Sequence, residues 1–73
     1  MEYTVVIHPA EEGGYWCEVP ALPGCYSQGE TIEETLNNAK CAIESHIYAL
    51  KENNEEIPSE KGFVISKIEV KVA

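Results

Sequence analysis

Between Gly13 and Thr31 the chain packs four of its five glycines, two of its four prolines and two of its three cysteines into nineteen residues. Glycine and proline are the poorest helix formers, so a backbone punctuated this often is confined to short strands and tight turns. Tyr15 to Val19 alternates Tyr15, Cys17 and Val19 against Trp16 and Glu18, the period-two pattern of a strand. Pro20-Ala21-Leu22-Pro23-Gly24 supplies a turn, Cys25 to Gln28 a short further strand, and Gly29 a break before a helix start.

The flanking segments fit the same plan. Glu2 to Ile7 alternates Tyr3, Val5 and Ile7 against Glu2, Thr4 and Val6, and predicts a first strand. His8-Pro9-Ala10-Glu11-Glu12-Gly13-Gly14 then reads as a long hairpin loop. Thr31 followed three residues later by Glu34 is a capping-box signature, and Glu33 and Glu34 suit the positive end of a helix dipole. Ile32, Leu36, Ala39, Ile43, Ile47 and Leu50 recur at steps of three and four, predicting one apolar stripe on a long helix. Asn53-Asn54 tolerates left-handed geometry and predicts its end. After a polar linker with Pro58 and Gly62, the chain alternates Val64, Ser66, Ile68, Val70 and Val72 against Lys67, Glu69 and Lys71, a last amphipathic strand.

The predicted class is therefore α+β, in the order β-β-β-α-β. The first three strands form an antiparallel meander, and the helix crosses over to return a fourth strand parallel to the first, giving spatial order 3-2-1-4. Residues 1–73 make a single domain with no room for a second. A chain this short builds a small core, and such domains commonly gain stability from a staple or from self-association.

Disulfides are disfavoured as the staple. The cysteine count of three is odd, and the chain starts without a basic, apolar leader, so reduced thiols and a cytoplasmic setting are expected. Zinc is disfavoured because Cys17, Cys25, Cys41, His8 and His46 lack paired close spacings. Self-association remains, and a homodimer or tetramer is expected.

Thirteen glutamates and no aspartate stand against five lysines and no arginine, for a formal charge of −8. Phosphate recognition needs clustered cations and base reading favours arginine, so direct nucleic-acid binding is not expected. An acidic surface steers basic partners, although it also serves simply to keep a small protein in solution. No apolar run reaches the roughly 20 residues needed to cross a bilayer.

Signatures of catalysis are missing. Neither histidine has an aspartate available to orient it, and Gly24-Cys25-Tyr26-Ser27-Gln28-Gly29 does not match a nucleophile elbow. Gly24 and Gly29 lack the companions of a phosphate-binding loop. Cys25 has no cationic neighbour in sequence to lower its pKa. The expectation is a protein that is not an enzyme, with no catalytic residue, no metal and no cofactor.

A binding role is more consistent with the pattern. With Tyr3, Val5, Ile7, Tyr15, Cys17 and Val19 turned to the helix, Val6 and Trp16 point the other way, with Tyr26 beside them. Tryptophan and tyrosine on an uncovered face are characteristic of partner surfaces. The candidate contacts are Val6, Tyr15, Trp16, Glu18, Tyr26 and Gln28 on the strands and Leu22, Pro23 and Gly24 in the turn. Sheet face, sheet edge and turn stand as alternatives.

Gly14-Tyr15-Trp16, then Pro20-x-Leu22-Pro23-Gly24-Cys25-x-Ser27-Gln28-Gly29-Glu30-Thr31-x-Glu33-Glu34, and the helical Asn38-Ala39-x-x-Ala42-Ile43 run resemble the HicB antitoxin family over nearly the whole chain. The resemblance implies a partial ribonuclease-H-like fold without nuclease chemistry, since that chemistry needs metal-binding acidic residues on strands. It further implies an antitoxin that sequesters a small basic HicA-like mRNA interferase and masks its catalytic histidine. Two features depart from the family pattern. Members often continue into a DNA-binding domain, which this chain is expected to lack, and Thr35 stands where alanine is frequent. An orphan homo-oligomeric module with no cognate toxin is the alternative reading of the same resemblance.

Overall fold

The computed structural model of the chain describes residues 1–62 and 64–72. Three short strands, β1 (Val6–Pro9), β2 (Tyr15–Glu18) and β3 (Tyr26–Gly29), form an antiparallel sheet in the order β1-β2-β3, followed by one helix, α1 (Ile32–Glu52). Two residue rows cross the sheet in register: Val6, Glu18 and Tyr26 in one, His8, Trp16 and Gln28 in the next. Between them Ile7, Cys17 and Ser27 face the other way, towards α1.

The β1–β2 loop is closed by Ala10 N–H donating to the Gly14 carbonyl at 3.0 Å and Gly13 N–H donating to the Ala10 carbonyl at 3.1 Å. Gly14 holds φ +73°, and a Cβ there would stand 2.7 Å from the Gly29 carbonyl oxygen, so only glycine fits. Gly29 is confined from the opposite side. A Cβ on it would meet the Thr35 backbone nitrogen at 2.6 Å, so the missing side chain is what lets β3 end against the first turn of α1.

The helix starts as its sequence predicts. Thr31 is the N-cap, its hydroxyl accepting from Glu34 N–H at 3.0 Å, and the Glu34 carboxylate reaches back to Glu30 N–H at 3.1 Å. At the other end Asn53 caps the last turn and Asn54 takes φ 55°, the left-handed step expected of the asparagine pair.

The core is small and lies between α1 and the turn after β2. Val19, Leu22 and Cys25 are buried together, with Tyr3, Val5, Ala42 and Ile43 packed against them. The turn folds inward on its own hydrogen bonds: Leu22 N–H to the Val19 carbonyl, Cys25 N–H to the Leu22 carbonyl, and Val19 N–H to the Cys25 carbonyl. All three cysteines are free thiols.

The structure departs from the sequence reading in three places. First, β1 begins at Val6, not Glu2, and runs into Pro9: the ladder ends at the Val6–Glu18 pair, and residues before Val6 have no cross-strand partner among the described residues. Second, α1 does not bury the whole hydropathic stripe. Thr35 and Ala39 are its buried residues, while Ile32 and Leu36 remain 51% and 45% exposed. The close approach at Gly29 turns Thr35 inward, and its hydroxyl is satisfied by donating to the Thr31 carbonyl at 2.7 Å. Third, residues 64–72 take part in no strand pairing among the described residues, where the sheet is three-stranded and the expected fourth strand and order 3-2-1-4 are not seen.

Candidate functional site

The face of the sheet turned from α1 carries Val6, His8, Trp16, Glu18, Tyr26 and Gln28, because cross-strand partners share a face and neighbours along a strand alternate. Its centre is aromatic. The rings of His8 and Trp16 stack with centroids 4.3 Å apart and planes 22° from parallel, and Tyr26 lies 6.4 Å from Trp16. His8 Nε2 also sits 2.7 Å from the Glu18 carboxylate, so the imidazole is clamped between an indole and an acid. Trp16 and Tyr26 are 38% and 62% exposed, which leaves a rigid aromatic platform in water. Rigid amphipathic rings of this kind give large contact area at low entropic cost.

Beside the platform, the β1–β2 loop and the start of α1 enclose a cleft of about 490 Å³. Glu11, Glu12, Glu30 and Glu34 line it together with Trp16 and Gln28. Four carboxylates around a hydrogen-bonding rim favour a cationic group arriving from outside. The edge is held firmly, since Asn38 Nδ2 on α1 donates to the Gln28 carbonyl at 2.8 Å.

The structure brings together five of the sequence-predicted contacts on this face: Val6, Trp16, Glu18, Tyr26 and Gln28. Tyr15 lies on the opposite face, half-buried, and lines the cleft. Pro23 and Gly24 are exposed at the turn, apart from the aromatic platform. Leu22 is corrected outright: it is 0% exposed and anchors the core, so it has no surface to offer a partner. His8 was missed, because a histidine next to proline reads as a loop residue until the register sets it opposite Trp16.

Among the described residues no group of three or more His, Cys, Asp or Glu is placed to hold a metal ion, and no helix is long and apolar enough to cross a membrane. Burial pushes the Cys25 thiol above its ordinary pKa, with the neighbouring Cys17 adding to the shift, which holds it in the unreactive protonated form.

Residues 3–71 match the family model described as the HicB-like antitoxin of bacterial toxin-antitoxin systems. The chain belongs to the HicB-like antitoxin family. A UPF0150 protein of Thermoplasma acidophilum is 53% identical over 58 residues, covering 80% of this chain and 84% of its own length. An antitoxin HicB of Photorhabdus laumondii is 41% identical over 58 residues, and there the match takes in 80% of this chain but only 37% of the longer relative. Among solved structures, the N-terminal domain of Burkholderia pseudomallei antitoxin HicB superposes with a TM-score of 0.70 at 26% identity, over 99% of this chain and 100% of that one. The HicB-like fold thus agrees with the three antiparallel strands and single long helix described above.

Proposed function

We propose that this HicB-like chain neutralises a small, basic, HicA-like mRNA interferase by direct protein contact, acting as a binding protein and not as an enzyme. The observation that carries this reading is the aromatic platform of His8, Trp16 and Tyr26 set beside a four-glutamate cleft. A basic toxin would lay its apolar residues on the platform and place a cationic side chain in the cleft. The formal charge of −8 supports the pairing, since complementary fields raise association rates and exclude acidic competitors. The contact residues are Val6, His8, Trp16, Glu18, Tyr26 and Gln28, with Tyr15 entering at the cleft and Pro23 and Gly24 at the margin. Occluding the toxin's catalytic surface is sufficient for neutralisation.

The same reading places the chain in the cytoplasm as a homodimer or tetramer, with 1–73 acting as one toxin-binding domain and no DNA contact of its own. Its acidic, arginine-free composition supports that last point. The fourth strand, in order 3-2-1-4, belongs to the assembled form. Co-expression with the basic product of an adjacent short gene tests the proposal: a stable complex that restores growth is expected, and a toxin that stays free and active overturns it. An orphan homo-oligomer is the second reading, and an aromatic platform buried between copies of the purified chain would favour it.

A further inference from the structure

An apolar groove of about 290 Å³ runs between the N-terminal residues and α1, on the side of the sheet where β1 has no neighbour. Tyr3, Val5, Leu36, Ala39, Ile43 and Ile47 line it. It explains why the apolar stripe of α1 is wider than the surface its own sheet covers: Leu36 faces a strand position that this chain leaves empty. Among the described residues β1 pairs with β2 alone, so its outer edge is an open template for another strand.

The chain also carries a segment with the period of a strand but, among the described residues, no sheet to join. Val64, Ile68, Val70 and Val72 alternate with Lys67, Glu69 and Lys71, yet Ile68 and Val72 are 85% and 90% exposed. Nine residues of strand reach about 30 Å. The segment's large apolar side chains are all exposed, and the molecule is extended for its length. The Cα radius of gyration is 14.5 Å, against about 11 Å for a compact chain of this length.

We propose that residues 64–72 of one copy lie along the outer edge of β1 in a second copy and fill that copy's groove, each chain doing the same for the other. The segment itself favours exchange over closure onto the same chain: its linker is anchored, yet residues 64–72 pair with nothing among the described residues. The Tyr3 hydroxyl donates to the Pro58 carbonyl, and the Thr4 backbone and hydroxyl both donate to the Glu60 carboxylate, which fixes the linker against the N-terminal residues. A turn at Lys61–Gly62, with Gly62 at φ +87°, follows this anchor, and the strand beyond it makes no contact that buries its side chains. A reciprocal, two-fold arrangement satisfies both grooves and both strands with one contact type, and it removes two open edges. The occupant matches the vacancy: an extended segment with alternate aliphatic side chains for the groove and Lys67, Glu69 and Lys71 for solvent. The exchange deepens the self-association proposed above, and its readouts involve no toxin, so it stands or falls independently of toxin binding.

Two full-length chains in a Cys41→Ser background test it, one carrying Leu36→Cys and a size tag, the other Ile68→Cys. Mixed and mildly oxidised, they are expected to give a covalent heterodimer at least tenfold above a control in which Glu33→Cys replaces Leu36→Cys. Separately, the Ile68→Asp, Val70→Asp double variant is expected to fall to the mass of a single chain, 8.1 kDa, with unchanged helical circular dichroism, because both side chains are exposed in the single chain. Heterodimer at control level, a double variant that keeps the wild-type mass, or a wild-type chain that is monomeric at micromolar concentration each overturns the proposal.

Discussion

His8 and Trp16, directly opposite in the β1–β2 register, stack face to face at 4.3 Å on the side of the sheet that α1 leaves uncovered. The pair is held from outside the stack by Glu18 at 2.7 Å from His8. A preorganised indole of this kind can anchor a partner without paying for its own ordering.

Trp16→Ala is predicted to separate binding from folding. Its side chain is partly solvated, so thermal unfolding should change by about 1 kcal/mol, the scale of one lost aromatic contact. Toxin affinity should fall by about 2 kcal/mol or more, roughly thirty-fold, as for a buried anchor. Calorimetric titration and melting of the same variant check both figures.

Leu22 and Pro23 are adjacent but are predicted to behave oppositely. Leu22→Ala opens a cavity in the core and should cost about 2–5 kcal/mol in chemical denaturation. Pro23→Ala alters an exposed turn residue and should cost under about 1 kcal/mol.

Much of this fold was legible in the sequence, and the exceptions share a cause. The hairpin turn, the Thr31–Glu34 cap and the Asn53–Asn54 stop are local devices, and each appears where residue chemistry places it. Leu22 was misplaced because proline and glycine mark a turn without telling which way it folds; three internal hydrogen bonds turn it into the core. Thr35 displaced Leu36 from the buried stripe through a tertiary contact, the missing side chain of Gly29, which hydropathy cannot register. The last segment has the period of a strand, but a strand also needs an edge to pair with, which periodicity does not supply; among the described residues it pairs with none. His8 joined the site through register alone.

Gly29→Ala is predicted to destabilise the chain by about 1–3 kcal/mol, since its Cβ would enter the space of the Thr35 backbone nitrogen, 2.6 Å away. Helix content should fall with it, because that contact seats the first turn of α1. Urea denaturation followed at 222 nm is the check.

The thiols should divide into one fast and two slow. Cys41 is exposed and should react with a thiol reagent within seconds, whereas the buried Cys17 and Cys25 should wait for opening of the fold. Cys25 also sets an alkaline limit. Its folded pKa lies above the ordinary 9.0, so its contribution to stability is fully present below pH 9 and is lost as pH rises through the raised value. Denaturation midpoints should be flat on this account up to about pH 9 and decline above it, and Cys25→Ala should flatten the decline.

The most direct test uses Trp16, the only tryptophan in the chain, as its own reporter. Acrylamide quenching is measured with and without a basic HicA-like toxin whose own tryptophans have been replaced by phenylalanine. Docking on the aromatic platform predicts at least a several-fold drop in the quenching constant, saturating with the stoichiometry of the complex. A complex that forms while Trp16 stays as accessible as in the free chain would contradict it.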